Sequence, residues 1–210
     1  MIILSHRGYW KEGSEKNKEI SFKRSFDLGF GTETDIRDYK GELVISHDIA
    51  NEHAMLLNDF FTLYKSHGDT LPLALNIKAD GLQVKLKQAV ERHNINNYFV
   101  FDMSVPDGLG YLNCDLQTFT RQSEYEKEPS FYERALGIWL DEFHTHWISK
   151  EIITYHLNHH KKICIVSPDL HRREYMKEWA DYKIIEQELG INHLMLCTDY
   201  PESAKEFFNA

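Results

Sequence analysis

Glu33-Thr34-Asp35-Ile36-Arg37 follows Leu28-Gly29-Phe30-Gly31, a segment that reads as a helix stop leading into a strand. Side chains alternate along a strand with a period of two, so Glu33 and Asp35 leave the same face. Two like charges aimed at one point repel, and a bound cation relieves them. Oxygen donors of this kind suit Mg²⁺ or Ca²⁺. The alternative is that one carboxylate simply pairs with Arg7 or Arg37. Just downstream, Tyr39-Lys40-Gly41-Glu42 reads as a tight turn into the extended piece Leu43 to Ser46, which delivers His47 and Asp48.

Upstream, Ile2 to Ser5 is a short, wholly apolar strand of the type buried on both faces, and it ends in His6-Arg7-Gly8. Ile20 to Leu28 is helical, with Phe22 and Phe26 one turn apart. Downstream, His53 to His67 is amphipathic, Leu73 to Lys78 is a strand, and Leu82, Leu86, Ala89, Val90 and His93 trace a helical stripe. Tyr98 to Asp102, Leu136 to Leu140, Lys162 to Val166 and His193 to Cys197 read as further apolar strands. In the middle, Asp115 to Arg121 reads as a strand and Ser123 to Ala135 as a helix interrupted by Pro129. Ser149 is placed to cap a helix running to His160. Tyr175, Trp179 and Ile185 mark a long helix stopped by Gly190, and Pro201 opens the last helix.

Short apolar strands alternating with helices imply a parallel sheet covered by helices, and about eight such units point to a (β/α)8 TIM barrel over residues 1–210. A doubly wound open sheet is the competing architecture. In a barrel, the residues just past the strands share one rim. His6 and Arg7, Asp35 and Arg37, Asn76 and Lys78, then Asp102, Asp141, Ser167 and Asp199 all fall there. Helix capping explains one or two such positions but not the recurrence.

The net charge of −9 argues against a nucleic-acid partner, and Lys161-Lys162 and Arg172-Arg173 are too short to make a basic patch. Cys114, Cys164 and Cys197 are widely spaced, without a C-x-x-C pair, and read as reduced thiols. With no signal-like segment and no apolar run of membrane-spanning length, the expected location is the cytoplasm. His144 and His146, and the cluster His156, His159 and His160, read as solvated helix ends. Asp199 reads as an anchor for the last loop.

Taken in order, these pieces resemble the glycerophosphodiester phosphodiesterase family of the phospholipase-C-like superfamily of TIM barrels. Ser5-His6-Arg7-Gly8 is similar to its opening H-R-G, and Asn17 falls at the Asn of its E-N-T, with Lys16 and Lys18 replacing the neighbours. Glu33-Thr34-Asp35-Ile36-Arg37 is similar to its E-x-D-V-R, Gly41 to Asp48 to its D-G-x-x-V-x-x-H-D, and Gly190 to Pro201 to its closing G-V-D-G-I-I-T-D-x-P. Residues 103–160 match little. There are two departures. The family's E-x-K on the third strand is Asn76-Ile77-Lys78 here, which keeps an oxygen donor but loses a charge. Between Asp48 and Leu73 there is room for one crossover helix and not for the family's inserted cap domain, so the pocket is expected to be more open.

The resemblance implies a phosphoric diester hydrolase for a glycerophosphodiester-like small molecule. Glu33, Asp35 and Asn76 would hold a divalent cation, Mg²⁺ or Ca²⁺. Arg7 and Lys78 would bind the phosphate, and His6 and His47 would act as base and acid, work that suits an imidazole. Two other outcomes use the same residues: a lyase that releases a cyclic phosphate, and a non-catalytic barrel that binds phosphorylated ligands.

Overall fold

The computed structural model describes residues 1–210. Its strands are β1 (Ile2–His6), β2 (Gly31–Tyr39), β3 (Glu42–Ile45), β4 (Met55–Leu56), β5 (Leu73–Ile77), β6 (Tyr98–Phe101), β7 (Phe119–Gln122), β8 (Gly137–Leu140), β9 (Lys162–Val166) and β10 (Met195–Thr198). Its helices are α1 (Glu19–Asp27), α2 (Leu57–Ser66), α3 (Gln83–Arg92), α4 (Val105–Asn113), α5 (Lys150–Asn158), α6 (Met176–Leu189) and α7 (Pro201–Asn209).

Eight strands close a parallel barrel. β1 pairs with β2 on one side and β10 on the other, β5 and β6 continue from β2, and β9, β8 and β7 continue from β10. A parallel bridge between Val100 and Thr118 joins β6 to β7 and completes the ring. This is the expected (β/α)8 architecture, and the open sheet is excluded. β3 and β4 lie outside the ring. β3 runs antiparallel to the far half of β2, from Ile36↔Ile45 to Tyr39↔Glu42, and its end delivers His47. Between Asp48 and Leu73 the chain makes only β4 and α2.

The period of two divides each barrel strand between an outer helix layer and the interior. Leu4, Ala74, Phe99, Phe101, Phe119, Trp139, Cys164, Val166, Met195 and Cys197 fill the interior. Phe99 stacks on Phe119 with centroids 3.8 Å apart, and Phe101 on Trp139 at 4.0 Å. With the interior closed by aromatic rings, the next inward positions toward the strands' C-terminal ends are the polar residues of the rim. All three cysteines are free, two of them inside this core.

One helical expectation needs correction. Ser123 to Ala135 contains no α-helix, only a 3₁₀ turn at Tyr132–Arg134. Pro129 has no N–H to give, the Ser123 hydroxyl accepts the N–H groups of Tyr125 and Glu126 (both 3.2 Å), and the Glu126 carboxylate is drawn to Arg121. Val105–Asn113, where no element was expected, is a helix despite Pro106, Gly108 and Gly110. Pro106 lies in the first turn, where a missing donor costs nothing. The Ser149 cap is present, its hydroxyl accepting the Ile152 N–H at 3.5 Å. Gly190 ends α6 with φ +63.

Candidate active site

β1 ends in a turn built on two left-handed residues, Arg7 (φ 59) and Gly8 (φ 78). That turn aims the Arg7 N–H back across the strand, where it donates to the Glu33 carbonyl (2.9 Å) and to Glu33 Oε2 (3.1 Å). A Cβ on Gly8 would lie 2.4 Å from Ser21 Oγ and 2.9 Å from the Ser21 backbone. Gly8→Ala is therefore expected to destabilise the protein by about 2–4 kcal/mol, the sum of left-handed strain and overpacking, in chemical denaturation.

The two carboxylates of β2 have different surroundings. Asp35 is fully buried and answered by cations: Arg7 Nε lies 3.2 Å from its Oδ2 and Lys78 Nζ 3.7 Å from its Oδ1. The Asn17 amide also donates to Asp35 (2.7 Å) while accepting the Thr34 hydroxyl (2.9 Å). The ion-pair alternative thus describes Asp35. Glu33 is 1% exposed, and its only titratable cationic neighbour within 4.0 Å is His6 Nε2, at that distance. Burial, with the Asp35 charge adding to it, pushes the Glu33 carboxyl up to about 7.

His6 Nδ1 donates to Asp199 Oδ1 at 2.7 Å, which leaves Nε2 uncommitted. Asp199 is itself fixed by its backbone N–H, which donates to Asp169 (2.8 Å). It therefore orients an imidazole, a role that its reading as a loop anchor misses. A cavity of about 200 Å³ brings together His6, Arg7, Glu33 and Asn76 with Asp102, Arg121, Asp141 and His171. Arg121 donates to Asp102 at 2.6 Å, and Lys78 approaches Asp102 at 3.3 Å. Asp102 is left-handed at φ 72, a conformation that costs a non-glycine residue about 1–3 kcal/mol. His171 Nε2 donates to Asp141 at 2.6 Å. Arg121 and His171 belong to no motif and were missed. Arg121 follows an inward Phe119 at the strand period, a signal that was available.

His47 does not line this cavity. It borders a second one of about 340 Å³, lined by Arg7, Lys16, Asn17, Lys18, Ser46 and Asp48 among others, and Arg7 alone is common to both. Its imidazole is 43% exposed and donates to Asp48 (2.8 Å), which is 93% exposed.

The expected cation ligands were tested by their unpaired oxygens. Asp35 and Asn76 face each other in register on β2 and β5, and the Oδ1 atom of each is buried without a hydrogen-bond partner. With the Glu33 carboxylate on the same face of β2 as Asp35, these donors fit a hard divalent cation. A second group, Glu142, His146 and Glu178, has donor atoms within 4.8 Å of one another. There, Glu142 already accepts the Trp147 and Ile148 N–H groups (2.8 and 2.7 Å) and the Tyr182 hydroxyl (2.9 Å), and Arg173 donates to Glu178 at 2.5 Å. These bonds brace the loop after β8 against α6. His146, expected at a helix end, belongs to that brace. His156 is buried between the Tyr132 hydroxyl and the Gln122 amide oxygen, and burial pulls its pKa down to about 4.

No helix is long and apolar enough to cross a membrane. No family model matches the chain, and no curated protein matches it. Solved structures do. A glycerophosphodiester phosphodiesterase from Parabacteroides distasonis superposes with a TM-score of 0.68 at 14% identity, covering 99% of this chain and 96% of that one. A phosphodiesterase from Oleispira antarctica, solved with the product sn-glycerol-3-phosphate, gives 0.67 at 12% identity, covering 100% and 97%. A Ca²⁺-dependent phosphatidylinositol-specific phospholipase C from Streptomyces antibioticus gives 0.58 at 10%, covering 99% and 95%. At these identities the likeness shows the fold, and the chain is a (β/α)8 barrel like these three structures.

Proposed function

We propose that the protein is a metal-dependent phosphoric diester hydrolase acting on a glycerophosphodiester-like small molecule. The observation that carries the proposal is Arg7, the one residue that lines both cavities, sharing one with His6 and the other with His47. In-line displacement at phosphorus needs attack and departure on opposite faces. A phosphate seated on the Arg7 guanidinium would have one imidazole on each face. His6, with Nδ1 committed to Asp199, has Nε2 available to take the proton of the attacking water as the new P–O bond forms. His47 gives a proton to the alcohol oxygen as the old P–O bond breaks. Lys78 adds positive charge from the third strand. Glu33, Asp35 and Asn76 would hold a divalent cation, which supplies neutralisation of the non-bridging oxygens. The neighbour with bound sn-glycerol-3-phosphate supports the choice of substrate class.

Glycerophosphodiesters and bis(p-nitrophenyl) phosphate, assayed with Mg²⁺, Ca²⁺ or EDTA, test this. The expected result is turnover with Mg²⁺ or Ca²⁺ that EDTA abolishes. Folded protein with no turnover of any phosphodiester rejects the proposal. Phosphorus NMR of the product separates hydrolysis from the lyase outcome, which leaves a cyclic phosphate. Asn76→Glu restores a third carboxylate and is expected to tighten metal binding tenfold or more, measured by calorimetry. If neither form binds metal while phosphate ligands still bind, the non-catalytic barrel is the better description.

A further inference from the structure

The cavity beside His47 has an uneven charge. Arg7, Lys16 and Lys18 line it against the single carboxylate of Asp48. Arg7 is answered by Asp35, and Asp48 by His47. The acidic residues next in sequence to the two lysines, Glu15 and Glu19, are committed to Arg24 and Lys23. Lys16 and Lys18 form no ion pair. Lys16 Nζ lies instead 4.2 Å from the centroid of the Trp10 ring. Arg37, whose Nη2 donates to the His47 carbonyl at 3.2 Å, also lacks a carboxylate partner, and its Nε is buried without any partner.

Unpaired cations gathered at one cavity run against the −9 charge of the whole chain. They also run against the motif that the segment resembles, where a Glu stands at the position of Lys16. Free lysines around a cavity raise the local concentration of anions and exclude cations. From this we infer that the alcohol lodged in the His47 cavity carries an anionic group of its own, a phosphate or carboxylate seated by Lys16 and Lys18. The inference rests on the phosphodiesterase reading and specifies the leaving half of its substrate. The cavity places no charge requirement on the half held at the barrel mouth, where Arg121 and His171 are both matched by carboxylates.

Four sn-glycerophosphodiesters that differ only in the second alcohol test it: glycerol phosphate, glycerate, glycerol and choline. The phosphate- and carboxylate-bearing arms are expected to exceed the neutral arm about tenfold in kcat/KM at low salt, with choline below it. About 0.5 M salt should shrink that ratio several-fold, because these lysines are solvated. Lys16→Gln with Lys18→Gln is expected to bring the ratio toward one, and Lys18→Glu to shift preference toward choline. Equal kcat/KM for all four, or a ratio indifferent to salt in the unmutated protein, overturns this inference and leaves the hydrolase reading standing. No turnover of any of the four removes both.

Discussion

At pH 8 in EDTA, Glu33→Gln is expected to melt about 5–10 °C above the unmutated protein and to have lost metal-dependent turnover. Glu33 sits under the rim with its nearest titratable cation 4.0 Å away, and burial and the Asp35 charge lift its carboxyl from 4.5 to about 7. The folded state therefore binds a proton more tightly than the unfolded chain. Between pH 4.5 and about 7 the unfolded state holds fewer protons, so this group's contribution to stability falls as pH rises through that window and stays low above it. The shift corresponds to about 3 kcal/mol of strain above pH 7, which a chain of this size registers as several degrees. Glutamine keeps the shape and the oxygen that accepts the Arg7 N–H, and it removes the charge. At pH 4.5 and below, where Glu33 is itself neutral, the advantage should vanish. EDTA is needed because a bound cation would stabilise the ionised carboxylate. A variant no more stable than the unmutated protein at pH 8 would mean that Glu33 is not strained, and the case for a cation-demanding carboxylate would weaken. A stable but inactive variant is what an active site held at the expense of stability produces.

The same pair of residues shows how far the sequence could be read. The alternation that put Glu33 and Asp35 on one face depends only on the strand period, and it holds: both are buried on the inward side of β2. The period does not say which of the two finds a cation, because Arg7, Lys78 and Asn17 come from three other segments. The barrel strands were legible because strands covered on both faces are continuously apolar, as in residues 163–166 of β9. The middle was not, because there the glycines serve packing. A Cβ on Gly108 would lie 2.8 Å from the Phe131 ring, and one on Gly110 the same distance from the Gln83 side chain. Each looks locally like a helix breaker and is in fact a close approach to a distant residue. His171 was invisible for a related reason. It lies on the 3₁₀ turn after β9, and only the pairing of β9 with β8 brings it to Asp141.

Asp199→Asn is expected to lower kcat by about 10²–10⁴ with little change in melting temperature, whereas Asp48→Asn should cost no more than a few-fold. Both residues accept a hydrogen bond from an imidazole Nδ1, at 2.7 and 2.8 Å. They differ in solvent. The Asp199 side chain is 17% exposed and the His6 ring 16%, so water competes poorly and the carboxylate fixes both ring orientation and tautomer. An Asn there can offer its NH₂ to Nδ1 and leave the proton on Nε2, the atom that must accept one, and a loss of this order follows when a buried His–Asp pair is broken in that way. Asp48 is 93% exposed, and water can replace it with little reorientation of His47. A tautomer effect should appear in kcat and in the pH–rate profile, with KM and the denaturation midpoint nearly unchanged, which a purely structural role for Asp199 would not produce. Equal losses from the two substitutions would instead mean that substrate closes the His47 cavity and desolvates that pair, so that the arm carrying His47 moves with binding.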